Sequence, residues 1–193
     1  MTAIADIQRL VECESPTEDL AACNQIVNLA VEIAGQVLKT KAETISENGR
    51  PVFWWGSKQP KIVLLCHLDT VWPKGSFIPT WKVNGDIATG PGVFDMKAGF
   101  VQALYSLANI DNAKDKIALI ATTDEETGMT GAFGLKAGAL KGKILINTDI
   151  KTVRLSDEIV LKNANSQEER KEATAEVIFK IQIASSKKKI KEK

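Results

Sequence analysis

Apolar residues recur along this chain with two different periods, and the change between them marks its elements. From Glu18 to Leu38, Leu20, Cys23, Val27, Val31 and Leu38 follow helical spacing. Ser15-Pro16-Thr17-Glu18 reads as the capping box that opens this helix, with proline at its first position. Short apolar runs follow, too short for helices and bounded by turn residues: Pro51 to Trp55, Lys61 to Cys66 (KIVLLC), Ile117 to Thr122 (IALIAT) and Lys143 to Asn147 (KILIN). These are predicted strands, and KIVLLC, apolar on both faces, is predicted to be central. A second helix is expected from Met96 to Ile110, with Phe100, Ala103, Leu104 and Leu107 facing inward, and a glycine-weakened one over GAFGLKAGAL (131–140). No internal repeat is visible. Helices alternating with strands predict an α/β fold, a three-layer sandwich with a mainly parallel central sheet.

Three of these strands lead, at once or after a single threonine, into residues able to bind a metal. KIVLLC runs into His67, IALIAT into Asp124-Glu125-Glu126, and KILIN into Asp149. In open α/β sheets the ligand crevice lies beyond the carboxyl ends of the strands. Parallel neighbours would therefore gather one imidazole and several carboxylates at one rim, with Asp95 joining from the turn before the second helix. Converging carboxylates repel one another, and one takes a proton unless a cation is present. An imidazole with carboxylates suits zinc, with manganese or cobalt as alternatives. In His67-Leu68-Asp69 the outer two side chains share a side, so Asp69 can hold the imidazole N–H. Of Glu125 and Glu126, one can bind metal while the other takes a proton from water. Taken singly, each residue has an ordinary reading: His67 as a rim histidine, Asp95 as a helix cap, Asp149 as a loop acid. Cys66 reads as a small buried hydrophobe, and Trp54, Trp55, Trp72 and Trp81 as packing residues. Their joint order and spacing carry the metal reading.

Composition narrows the classes. The 193 residues are 44% hydrophobic and 25% charged, enough for a buried core and against disorder of the whole. A net charge of +1 gives no electrostatic case for nucleic acid or membrane as partner. No apolar run approaches the roughly 20 residues that span a bilayer. Three cysteines (Cys13, Cys23, Cys66) read as reduced thiols. MTAIADIQRLVE lacks the pattern of a secretory leader, so a cytoplasmic protein is expected. The balance of charge is uneven. Residues 1–150 hold 14 Lys+Arg against 17 Asp+Glu, a net of −3, whereas residues 151–193 hold 11 against 7, a net of +4.

HLDTVWPKG (67–75), GPGVFDMKAG (90–99) and TTDEETGMTG (122–131), with SPTED (15–19) before them, resemble the motifs of the zinc-dependent aminoacylase, glutamate carboxypeptidase and dipeptidase family. That family comprises two-zinc exopeptidases, dipeptidases and deacylases, and the likeness runs in order to Asp149. It implies hydrolysis of peptide or acyl-amino-acid amide bonds, with a small peptide or acyl-amino acid as substrate. Carried over, His67 binds one metal, Asp69 orients it, Asp95 bridges two metals and is often followed by a cis peptide, Glu125 is the general base, Glu126 binds the second metal, and Asp149 is an acidic ligand of the first. HLDTVWP with GPGVFDMKAG resembles glutamate carboxypeptidases; MTGAFGLKAG with KGKILINTD resembles aminoacyl-histidine dipeptidases.

The chain also departs from the family. Its second metal site is closed by a downstream histidine, whereas His67 is the single histidine of this sequence. The first site (His67, Asp95, Asp149) is nominally complete and the second (Asp95, Glu126) is short of a ligand. Residues 1–150 therefore read as the N-terminal part of a catalytic domain, and 151–186 as a divergent segment. Within that segment VIFKIQIAS (177–185) resembles the first strand of a lid domain; 187–193 is a lysine-rich, solvated tail. Two alternatives stay open: a catalytically incompetent fragment acting as a weak metal-binding or interaction module, and a homodimer that completes the site.

Overall fold

The computed structural model describes residues 2–129 and 144–147. Its elements, in chain order, are α1 (Ala3–Glu12), α2 (Leu20–Leu38), β1 (Glu43–Glu47), β2 (Arg50–Gly56), β3 (Ile62–His67), β4 (Lys82–Asn84), β5 (Ile87–Thr89), α3 (Ala98–Leu107), α4 (Ala113–Lys116), β6 (Ile117–Thr122) and β7 (Ile144–Asn147). Five strands make one sheet in the order β1-β2-β6-β3-β7. β3 pairs in parallel with both β6 and β7, while β2 is antiparallel to both β1 and β6, so β2 alone runs against the other four. The strand predicted to be central lies between the other two whose sequences lead on to candidate metal-binding residues. β4 and β5 form a separate hairpin.

Residue parity sorts the sheet's two faces, because side chains alternate along a strand. Phe53, Trp55, Leu64, Cys66, Leu119 and Ala121 pack with Ile7 and Leu10 of α1, Ile26 and Ile33 of α2, and Phe100 and Leu104 of α3. Val52, Trp54, Val63, Ala118 and Ile120 form a smaller cluster on the other face. Among the described residues, α1 to α3 thus pack into the larger cluster; the expected helix 131–140 lies outside them. Cys66 is a small buried hydrophobe, and the three cysteines form no disulfide with one another. No helix among the described residues is long and apolar enough to cross a membrane.

Four readings need correction. The helix α2 is not opened by the Ser15 box: Asp19 is its cap, accepting the Ala22 N–H at 2.9 Å. Ser15 to Thr17 instead run alongside the chain after β3, where their backbone groups pair with Thr70. The second predicted helix starts at Ala98 instead of Met96, since Asp95 (φ −116°, ψ 97°) and Met96 (φ −136°, ψ 32°) have non-helical backbones. Asp95 is consequently not a helix cap. Trp72 is not a core residue; it is 47% exposed and packs edge-on against Phe77. The helix α1 has no counterpart among the elements expected from the sequence, although its mixture of charged and apolar residues is that of an amphipathic helix, with Ile7, Leu10 and Val11 buried along one face.

Lys97 is fully buried, and its ammonium donates to the carbonyls of Leu10 (3.0 Å) and Cys13 (3.2 Å), which end α1. It satisfies carbonyls left over where a helix stops. Burial disfavours its charge and lowers its pKa from 10.5 to about 8. Below pH 8 both folded and unfolded chains are charged here and the burial penalty is fully present. Between pH 8 and 10.5 the folded chain loses this proton first, so the unfolded chain binds more protons and stability rises with pH. The gain is on the order of 3 kcal/mol. Urea unfolding of chelator-treated protein should show this rise in the difference between wild type and Lys97→Met. Parallel pH profiles for the two proteins would contradict it.

Candidate metal centre

The site is built where β3 and β6 end side by side. The register pairs His67 with Thr122, and the Leu68 N–H donates to the Thr122 carbonyl at 2.9 Å, carrying the ladder one residue past β3. Asp69 follows, with no exposed surface. The Ser15–Thr17 segment fixes this stretch. The Ser15 hydroxyl donates to the Leu68 carbonyl (2.6 Å), the Thr70 N–H to the Ser15 carbonyl (2.9 Å), and the Thr17 hydroxyl to Asp69 Oδ2 (2.7 Å).

Asp69 gathers the other groups. His67 Nδ1 stands 3.3 Å from Asp69 Oδ1, while the backbone N–H groups of Glu125 and Glu126 donate to Oδ1 and Oδ2, each at 3.3 Å. One residue therefore orients the imidazole, through its carboxylate and its own backbone carbonyl 3.2 Å from Nδ1, and its carboxylate caps the short helical turn Glu125–Thr127 that carries both glutamates. Buried donors left without an acceptor are costly, which is why a full set of partners converges here.

Asp95 arrives from the opposite side, on the turn Val93–Lys97, where the Asp95–Met96 peptide is cis. Gly92 makes the approach feasible. Its φ of +70° suits glycine, and a Cβ there would lie 2.6 Å from Thr70 Cγ2. Asp95 Oδ1 lies 2.9 Å from His67 Nε2, and Glu125 Oε2 lies 4.0 Å from the same nitrogen. A ligand atom from each of His67, Glu125 and Glu126 lies within 4.8 Å of the other two. The His67 side chain is 4% exposed, against 54% for Asp95 and 41% for Glu125. The imidazole is thus the floor of the site and the carboxylates are its open rim.

The electrostatics follow from this packing. Burial disfavours the His67 imidazolium, but its hydrogen bonds with Asp69 and Asp95 and their charges outweigh that and hold its pKa up to about 10. Burial likewise opposes the Asp69 charge; the His67 contact, the Thr17 hydroxyl and the Glu126 amide more than offset it, leaving Asp69 below its ordinary value. The His67 hydrogen bond lowers Asp95 as well. Burial, then the charges of Asp95, Glu125 and Asp69, raise Glu126. The carboxylates thus favour a positive charge on the imidazole. A donor set of one imidazole nitrogen and several carboxylate oxygens, drawing in a cation in this way, fits a divalent metal ion.

Of the residues singled out in the sequence, His67, Asp69, Asp95, Glu125 and Glu126 come together here. Asp149 lies outside the described residues, as does the resemblance to a lid strand at 177–185. Two participants escaped the sequence reading. Thr17 was hidden inside an apparent capping box, and its place in SPTED was the one available signal. Met96, whose thioether accepts the His67 backbone N–H at 3.2 Å, offered none, because a methionine beside an apolar helix reads as core.

Several known proteins resemble this chain. A family model described as peptidase family M20/M25/M40 matches residues 63–181. Carboxypeptidase G2 of Pseudomonas sp. (strain RS-16) is 29% identical over 142 residues, which are 68% of this chain and 34% of that protein. Among solved structures, the M20 family metallo-carboxypeptidase Sso-CP2 from Sulfolobus solfataricus superposes with a TM-score of 0.61 at 16% identity, over 78% of this chain and 38% of the other. The aminoacylhistidine dipeptidase of Vibrio alginolyticus gives 0.51 at 25% identity, over 76% and 32%. The chain thus spans about a third of the length of the curated relative it matches.

Proposed function

This chain belongs to peptidase family M20/M25/M40, and from that premise we propose that it supplies the metal-holding, proton-transferring rim of a hydrolase acting on peptide or acyl-amino-acid amide bonds. The observation that carries the reading is the seating of His67 between Asp69 and Asp95 with Glu125 alongside. His67, Asp95 and Asp149 are the proposed ligands of one zinc, and Asp95 and Glu126 those of a second. Bound zinc would supply Lewis acidity, polarising the scissile carbonyl and making water a better nucleophile. Asp69 fixes which imidazole nitrogen faces the ligand crevice by holding the other. Glu125 takes the proton of the attacking water on its carboxylate and returns it to the leaving amine nitrogen. Its half-exposed position suits that exchange, because the carboxylate is reachable from the crevice while its backbone is anchored on Asp69.

Zinc per purified chain, measured by elemental analysis after dialysis, tests the reading. Wild type is expected to retain at least one zinc and His67→Ala to lose it. A zinc-free wild type, or undiminished zinc in the variant, would count against the site. The single histidine of the sequence favours a second reading, metal binding without turnover by this chain alone. Hydrolysis of dipeptides and acyl-amino acids by the zinc-loaded chain separates the two.

A further inference from the structure

Among the described residues, the pairing of β3 with β7 reaches Leu65↔Asn147. Amide directions alternate along a strand. Since the Leu68 N–H points to β6, the His67 N–H points to the opposite edge of the strand, the β7 side. There it donates to Met96 Sδ at 3.2 Å, with Met96 2% and His67 3% exposed. A buried amide without an acceptor is costly, and the thioether supplies one. The residue before Met96 is Asp95, which faces the other end of the same histidine, Nε2, at 2.9 Å. The dipeptide is itself tethered, since the next residue, Lys97, is anchored on the end of α1 and its N–H donates to the Gly92 carbonyl at 2.9 Å.

We infer that Met96 is a positioning residue: its thioether holds the His67 backbone while Asp95 holds the ring, so that one dipeptide sets the imidazole's place and direction. The role toward a metal rests on the proposed reading of His67 as a ligand. Packing alone would ask only for an apolar side chain of this size, whereas this role asks for an acceptor.

Three versions of the full chain distinguish these: wild type, Met96→Leu, and Met96→Gln, whose amide oxygen restores an acceptor at similar reach. In metal-free protein, exchange of the His67 amide proton, followed by NMR, should quicken about tenfold or more in Met96→Leu and return to within about threefold of wild type in Met96→Gln. Cobalt(II) titration, followed by visible absorption, should show affinity reduced about ten- to hundredfold in Met96→Leu and recovered in Met96→Gln. Wild-type exchange in Met96→Leu overturns the contact. Faster exchange with an unchanged cobalt affinity and spectrum overturns the positioning role. A Met96→Gln chain that melts like wild type yet matches Met96→Leu in both readouts overturns the need for an acceptor. Failure of wild type to bind cobalt counts against the metal reading, and with it the role toward metal, while the exchange comparison still decides the contact.

Discussion

Glu125→Gln is expected to lower kcat by about a thousandfold while leaving bound zinc in place. The amide keeps the size of the carboxylate and removes its ability to take a proton. The turn that carries residue 125 should survive the change, because Asp69 holds it through the backbone N–H groups of Glu125 and Glu126, not through the side chain. Glu126→Gln provides the contrast. As a proposed ligand, it should show its effect first in metal content. The check is to measure zinc per chain and turnover on the same preparations, with an acyl-amino acid or dipeptide that wild type cleaves. Equal hydrolysis by Glu125→Gln and wild type would sink the role of base; loss of zinc from Glu125→Gln would make residue 125 a ligand instead.

Asp69→Asn should be the most damaging single substitution at the site. Asp69 is buried and accepts from the Thr17 hydroxyl and two backbone N–H groups while facing the His67 Nδ1. An asparagine must turn its NH2 toward some of those donors, and in metal-free protein it leaves the imidazolium with only the half-exposed carboxylates of Asp95 and Glu125 as partners. Breaking a buried ion pair from one side costs about 3–5 kcal/mol. Loss of the group that orients a metal-binding imidazole costs about ten- to hundredfold in metal affinity. We therefore expect a large fall in urea stability together with weaker zinc binding. Thr17→Val is the graded comparison: it removes one neutral donor, at a cost of about 1 kcal/mol, and leaves the Asp69–His67 pair. Stability of Asp69→Asn within a few tenths of a kcal/mol of wild type would show that the four-way convergence contributes little.

The parallel trio of strands and the residues at their ends were legible because each strand is a short apolar run bounded by turn residues, and the chemistry begins where each run stops. His67, Asp95, Glu125 and Glu126 could be named from order and spacing alone, and so could the pairing of Asp69 with His67. Two of the misreadings lay at element boundaries. Ser15-Pro16-Thr17-Glu18 satisfies a helix-capping pattern, yet its backbone pairs with Thr70 and its hydroxyls serve Leu68 and Asp69. A local pattern cannot reveal that a partner some fifty residues away, on the far side of a strand, competes for the same groups. The start of α3 was misplaced for a similar reason: Asp95 and Met96 both serve His67, and their backbones depart from helical values there.

By itself, then, the sequence determined which strands are buried and which residue types stand at their ends, because periodicity and composition are local properties of a chain. The sheet order, which sets β3 between β6 and β7, was decided only by the tertiary structure. So was the hub at Asp69, where a hydroxyl, two amides and an imidazole from three separate segments meet one carboxylate. So were the burial of Lys97 at the end of α1 and the Met96 thioether facing the His67 amide. Each of these depends on satisfying a buried polar group with a partner distant in the chain, and that requirement exists only once the chain is packed.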